Sequence, residues 1–553
     1  DYRLPFMKDI KLTANAGFDF ATSDGHNNAP LNAAFTYNTS GSGQLIDYTG
    51  ENKSRLLDLY ASYSKTIGKH AIDATAGYSY QRFDRDGSNF DRNGSQTVFN
   101  DYQLDGDGNE VPRQYIPNPN VLLSFFGRIN YSWNGRYLLT LSARDDASSR
   151  FAEQNRWVVF PAAGFAWRVS EEAFMQNVQG LTDLKLRVSY GVTGQQDVSG
   201  NNPYPYLSTY QLSSATSQYE FGGAFYNTFR PQPYDADLRW ETTAQSNIGV
   251  DFGILNGKLT GTVDVYKRET TDLINRVPVA AGSNFSNYLI TNVGSLVNQG
   301  IEITLNATPF ERDDFEWNVG ANFTLNDNEV TKLLNTNDPS YIGILTGGIG
   351  LQRNIQNIQV GYPINSFFVY QQVYEDGRPI EGLYADLSGN GGDVTASELN
   401  KYRYHSPLPD YTIGINSKVN YKKFDFYFSG RLSVGNYVYN NVLTGANYSN
   451  FYYSTGYFNN LPSAVANTNF HNLQSFSDYY VENASFFKMD NISLGYNFDE
   501  VFTNKLKGRV SLTVQNAFFI SDYSGIDPEV GSGIDNNIYP RSRVFMLGLN
   551  LTY

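Results

Sequence analysis

Cysteine is absent from all 553 residues. That excludes disulfides, thiolate metal sites and thiol nucleophiles. Histidine is nearly absent: His26, His70, His405 and His471 stand far apart, with no HxxH or HExxH spacing. Lys and Arg number 41 against 55 Asp and Glu, for a net charge of −14. The clustered cations that nucleic acid demands are missing, so no nucleic-acid partner is expected. No run of about eighteen apolar residues occurs, which excludes helical membrane spans. The opening stretch DYRLPFMKDIKL has no apolar core and does not read as a signal peptide. Either a leader has been removed or the chain is a fragment. There is no GxSxG elbow, and no enzyme is expected. Helix formers are not enriched.

What the chain does have is 42 Tyr and 37 Phe, with abundant Gly, Asn, Ser and Thr. That composition suits strands and turns. Its last residues, VFMLGLNLTY, alternate strictly: Phe545, Leu547, Leu549, Leu551 and Tyr553 against Met546, Gly548, Asn550 and Thr552. NIGVDFGI (247–254), KLTGTVDVY (258–266), YTIGINSKVNY (411–421), FDFYFSGRL and ISLGYNF repeat this period of two. About sixteen such segments can be marked: 9–20, 55–65, 70–82, 121–132, 136–146, 157–168, 183–192, 238–253, 258–268, 299–308, 315–326, 410–421, 424–433, 485–498, 508–520 and 541–553. Many are as long as the nine to eleven tilted residues, roughly, that cross a bilayer, and Tyr137, Tyr266, Tyr421 and Tyr553 stand near segment ends as interfacial girdles do. A mean hydropathy of −0.43 is compatible with this, because only every second residue of a barrel strand meets lipid. A large soluble sandwich or propeller is the competing reading, but no propeller repeat is visible.

Connections alternate in length. Short ones lie at Gly68, Asn134-Gly135, Asn256-Gly257 and Lys422-Lys423. Long polar ones run roughly over 83–120, 193–237, 269–298, 327–409 and 434–484. Outer-membrane barrels have short periplasmic turns and long outer loops. The expectation is an all-β transmembrane antiparallel barrel with the first strand running outward and the C-terminus in the periplasm.

Several stretches resemble one family. They are SARDDASSRFAEQNRWVVFPAAGFAWRVSEEAFM (142–175), LKLRVSYGVTGQQD (184–197), RWETTAQSNIGVDFGILNGKLTGTVDVYKRETTDLI (239–274), NVGSLVNQGIEITL (292–305), NAFFISDYSGIDPEV (516–530) and YPRSRVFMLGLNLTY (539–553). Together they are similar to the SusC/RagA group of TonB-dependent outer-membrane transporters of Bacteroidota. The resemblance implies a 22-stranded barrel with a plug, of which this chain holds the C-terminal barrel portion, and no plug is expected here. It also implies import of a bulky nutrient, a glycan or a peptide. The TonB complex would act through the absent N-terminal region, and a SusD-like surface lipoprotein would serve as lid. Lipid and lipopolysaccharide would surround the wall. A passive porin, or a structural subunit of a larger surface complex, is the alternative.

Candidate sites follow. Aromatic clusters in the outer loops include Tyr204, Tyr206, Tyr210, Tyr452, Tyr453 and Tyr457. Flat rings beside amides can stack on sugars or hold peptides; loop-on-loop packing or docking of the partner is the structural alternative. DLSGNGGDVTASE (386–398) resembles a degenerate calcium loop, with Asp386, Ser388, Asn390 and Glu398 as ligands and Gly391 at the turn. A Gly-rich surface turn competes with it. DGDGNE (105–110) is a weaker version, read as a hairpin tip. Asp251, Asp264, Asn416, Lys418, Asp425 and Arg431 are assigned to the wet inner face, and Arg144 and Asp145 are candidates to touch the plug. Tyr553, a terminal aromatic, is similar to the signal that the barrel-assembly machinery reads.

Overall fold

The computed structural model describes the chain except for residues 30–43, 94–101, 105–109, 113–118, 199–203, 214–216, 279–287, 334–340, 351–352, 388–399, 452–457, 459, 499–506 and 553. Each of the sixteen expected segments falls on one long strand. In chain order these are β1 (Met7–Ala29), β2 (Gln44–Ile67), β3 (His70–Asn93), β4 (Asn120–Trp133), β5 (Tyr137–Ser148), β6 (Trp157–Arg168), β7 (Asp183–Gln195) and β8 (Glu241–Ile254). They continue as β9 (Leu259–Thr271), β10 (Ser295–Arg312), β11 (Phe315–Lys332), β12 (Tyr411–Tyr421), β13 (Phe424–Val434), β14 (Phe486–Phe498), β15 (Lys507–Ser521) and β16 (Val544–Thr552). Among the described residues, no helix is long and apolar enough to cross a membrane.

The chain divides into two compact units. One comprises Asp1–Gly164, Gly191–Thr243 and Asp272–Val293; the other comprises Phe165–Tyr190, Ala244–Thr271 and Gly294–Tyr553. In the first, β1 through β5 pair each with the next, all antiparallel. In the second, β9 through β16 do the same. Tight turns make this meander possible. At Asn134 and Gly135, φ is 52° and 68°, the left-handed pair of a type I′ hairpin. Arg136 N donates to the Trp133 carbonyl at 3.0 Å to close it.

The strands outrun the expected segments. β1, β2 and β3 are 23, 24 and 24 residues long, about twice what a bilayer needs. The sequence hides the surplus because GENKS (50–54) and DRDGSN (84–89) are polar at nearly every position, so no alternation marks them. The backbone ladder continues there all the same, as in Glu51 opposite Asp86. The connection expected from residue 83 therefore starts after Asn93, and the one expected from 327 starts after Lys332.

Alternation sorts the two faces of the sheets. On β16, Phe545, Leu547, Leu549 and Leu551 are 69, 80, 62 and 54% exposed. Such a row is tolerable only against hydrocarbon. The other face of the sheets carries the charged and amide side chains. The buried cores are drawn mostly from the connections between the sixteen long strands, with Phe160 of β6 the exception. In the first unit Phe151, Phe160, Val198, Leu238 and Trp240 pack together. In the second, Ile355, Phe367, Val369, Tyr439, Phe470, Tyr480, Val481 and Ile534 do so.

Candidate functional site: charged inner face, loop core and aromatic ribbons

The inner-face charges form networks. Arg187 on β7 donates from Nε to Asp251 on β8 at 2.9 Å and from Nη2 to Asp264 on β9 at 2.9 Å. Lys185 reaches Asp251 at 2.9 Å. A glycine makes room for this. A Cβ on Gly249 would lie 2.4 Å from Asp264 Oδ1 and 2.6 Å from Arg187 Nη2. The device recurs farther along. Asp425 on β13 sits directly opposite Gly495 on β14. Across that glycine Asp425 accepts Arg509 Nε at 2.9 Å and Nη2 at 2.5 Å, and it also accepts Asn497 Nδ2 at 3.0 Å. A Cβ on Gly495 would fall 2.4 Å from both Arg509 Nη2 and Asp425 Oδ2. The Arg187–Asp264 and Arg509–Asp425 pairs thus each bridge two strands over a third, and this mutual neutralisation leaves these wall charges paired.

A third network ties the segment after β15 to the sheet. Glu529 accepts Lys488 at 3.0 Å, Arg431 at 2.8 Å, and Arg541. Lys488 and the nearby Asp527 are almost fully buried, with side chains 5 and 6% exposed. Burial pushes the Glu529 carboxyl up, but Lys488, Arg431 and Arg541 outweigh it and hold it below the usual range.

Asp251, Asp264, Asp425 and Arg431 therefore take part in the networks. Asp251 and Asp264 pair with Lys185 and Arg187, Asp425 with Arg509, and Arg431 with Glu529; no single segment of sequence displays these pairings, because 64 to 98 residues separate the partners. Arg144 and Asp145 lie on opposite faces of β5. Arg144 pairs with Asp146 at 2.6 Å and with Ser124, while Asp145, one residue along the strand, alternates to the other face.

The long connections of the second unit fold into a core of their own. Tyr439, Phe367, Ile355 and Val369 are fully buried. Polar groups lock it. Asp478 accepts Tyr402 Oη at 2.6 Å and Gln372 N at 3.0 Å. Burial raises the Asp478 carboxyl above its ordinary value despite these bonds. Burial, followed by the bond to Asp478, drives the Tyr402 hydroxyl up. Glu381 behaves oppositely. Burial pushes it up, but His471 N, Asn472 N and Asn472 Nδ2, at 2.8 to 2.9 Å, hold it down.

The six candidate tyrosines part ways. Tyr204 is half-buried; its hydroxyl donates to the Pro119 carbonyl at 2.5 Å, and its ring meets Tyr206 edge-on at 6.3 Å. Those two brace the loop. Tyr210 is 65% exposed and sits opposite Pro231 in a short ribbon. Tyr452, Tyr453 and Tyr457 lie outside the described residues, as does Tyr553. A richer feature stands beside Tyr210. A second ribbon, Tyr219–Phe221 with Ala224–Tyr226, puts Tyr219, Tyr226 and Phe221 on one face, all more than half exposed. Tyr219 and Phe221 stack at 6.4 Å. QYEFGGAFY carried the hairpin signal in its Gly-Gly turn, flanked by aromatics. Of the calcium set only Asp386 is described, half-buried beside Asn400. Asn400 joins the two ends of that loop by bonding Leu387 N and the Ala385 carbonyl at 2.8 Å each. Ser388, Asn390 and Glu398 lie outside the described residues, as does most of 105–110. Among the described residues no three His, Asp or Glu converge as a metal group.

The model of the family described as TonB dependent receptor-like, beta-barrel matches residues 1–517. The chain belongs to that family of outer-membrane barrels, and within it to the SusC/RagA group. It is 39% identical to TonB-dependent receptor SusC of Bacteroides thetaiotaomicron, over 100% of this chain and 55% of that protein. It is 30% identical to TonB-dependent receptor P3 of Formosa agariphila, over 90% of this chain and 52% of that protein. Among solved structures, the RagAB peptide transporter superposes with a TM-score of 0.78 at 26% identity, over 99% of this chain and 60% of that one. The chain spans about half the length of the curated relatives it matches.

Proposed function

We propose that the complete protein is a TonB-dependent importer. It carries an oligosaccharide or a peptide across the outer membrane, working with a SusD-like surface lipoprotein and drawing energy from the TonB complex. The observation that carries this reading is the 39% identity to SusC over all of this chain. RagAB, whose fold the chain shares, is named a peptide transporter, which supports the same activity class. The barrel portion supplies wall and loops and performs no chemistry on the cargo. Its ion pairs fix the strands over glycines, so the inner face presents paired charges and amides to a passing polar cargo.

The exposed ribbon of Tyr219, Phe221 and Tyr226 is the proposed contact for the cargo, with Tyr210 on its neighbour. Rings in open solvent contribute nothing to a core, whereas an aromatic face contributes about 1 kcal/mol when another flat group covers it. The test uses the whole importer in its own host. Deleting the gene abolishes growth on one glycan or peptide, and restoring it rescues growth. Alanine at Tyr219, Phe221 and Tyr226 together raises the half-saturating cargo concentration by about tenfold or more. Normal growth of the deletion strain on every glycan and peptide tried would reject import. Rescue with an unchanged half-saturation would reject only the ribbon.

A further inference from the structure

An open groove of about 430 Å³ lies on the second unit, lined by parts of β8, β9, β10 and β11. That volume falls within the range of about 300–1,000 Å³ typical of small-molecule sites. Its lining has two rows. Ile248, Val265, Ile301 and Leu325 are apolar and 64, 51, 39 and 39% exposed. Ser246, Lys267, Gln299 and Asp327 form a polar row. Val265 pairs with Ile301, and Ile301 with Leu325; Lys267 pairs with Gln299, and Gln299 with Asp327. Directly opposite residues share a face, and so do residues two apart. Both rows therefore lie on one face of the sheet. Asp264 and Tyr266 alternate to the other face, where Asp264 meets Arg187 and Tyr266 meets Asn326. The groove faces lipid, continuous with the apolar belt of the wall.

Its height follows from strand geometry. Lys267 stands eight residues beyond Leu259, the residue after the short turn. At about 3.4 Å per residue and a tilt of about 40°, that is roughly 20 Å above the periplasmic edge of a band about 25 Å tall. The polar row sits near the outer rim, with the apolar row one step deeper. Glu269 and Glu329 stand on the next row outward, each opposite Val297. One cation and three carboxylates there disfavour a bare anion. They fit an anionic headgroup whose phosphates are already bridged by divalent cations.

We infer that this groove binds lipopolysaccharide of the outer leaflet. One acyl chain lies along Ile248, Val265, Ile301 and Leu325, and Lys267 takes a headgroup phosphate. The inference rests on the outer-membrane placement of the barrel and not on the identity of the cargo. The test is native mass spectrometry of the complete transporter, extracted from outer membranes and scored for co-purified lipopolysaccharide. Ile301→Trp fills the apolar row and Lys267→Glu reverses the cation. Each lowers the lipopolysaccharide-bound fraction by about fivefold, the factor an exposed charge pair can be worth. Leu549→Trp, on lipid-facing β16, leaves it unchanged. Assembly is checked for every variant by heat-modifiability. The inference is overturned if wild-type protein carries only phospholipid, if neither groove variant lowers the bound fraction, or if Leu549→Trp lowers it equally, which marks unspecific annular lipid.

Discussion

Replacing Gly495 with Val separates the two roles a barrel glycine can have. If Gly495 is only a weak strand residue, valine gains up to about 1 kcal/mol of strand preference. The structure argues the other sign. The new Cβ would stand 2.4 Å from both Arg509 Nη2 and Asp425 Oδ2, so one of the two must leave. Overpacking of this kind costs about 1–3 kcal/mol. The two Arg509–Asp425 bonds add to that, but the Arg509 side chain is 32% exposed, so their share is discounted towards about 1 kcal/mol. The net expectation is a loss of about 2 kcal/mol, read as a lower midpoint of urea unfolding for the complete barrel in lipid vesicles. A double-mutant cycle isolates the cause. In an Asp425→Ala background one obstacle is gone and the other, Arg509, has lost the partner that holds it in place, so Gly495→Val costs less than half as much. Equal costs in the two backgrounds would refute the bridging role and leave only a local backbone effect.

Other consequences follow from the loop core. Asp478 has a raised folded-state value, so its contribution is fully present below the unfolded value and is lost as pH rises through the folded one. Glu381 is depressed, so its contribution is present above the unfolded value and is lost as pH falls through the folded one. Hydrogen exchange of His471 N and Asn472 N therefore quickens on acidification, and Glu381→Gln flattens that response. Exchange at Gln372 N slows on acidification over the carboxylate range, and Asp478→Asn removes the trend; acceleration there instead would contradict the burial argument.

What the sequence makes legible here is set by where water and lipid impose a period. Ile248 to Ile254 and Phe545 to Leu551 alternate because one face meets hydrocarbon, so the strands inside the bilayer can be read directly. Beyond it both faces are wet, alternation stops, and the outer halves of β1, β2 and β3 vanish from view although their ladders continue. The loop core is hidden for a related reason. Ile355, Phe367, Tyr439, Phe470 and Ile534 come from segments up to about 180 residues apart, each too short to show a period, and only their meeting makes a core. The glycines carry the same lesson in reverse. Gly249 and Gly495 read as weak strand positions, but each sits beneath an ion pair whose members lie on the strands to either side. Their purpose exists only in the register of three strands. A sequence search for such barrels gains more from asking which glycine lies between an acid and a base on flanking strands than from counting charges along one strand.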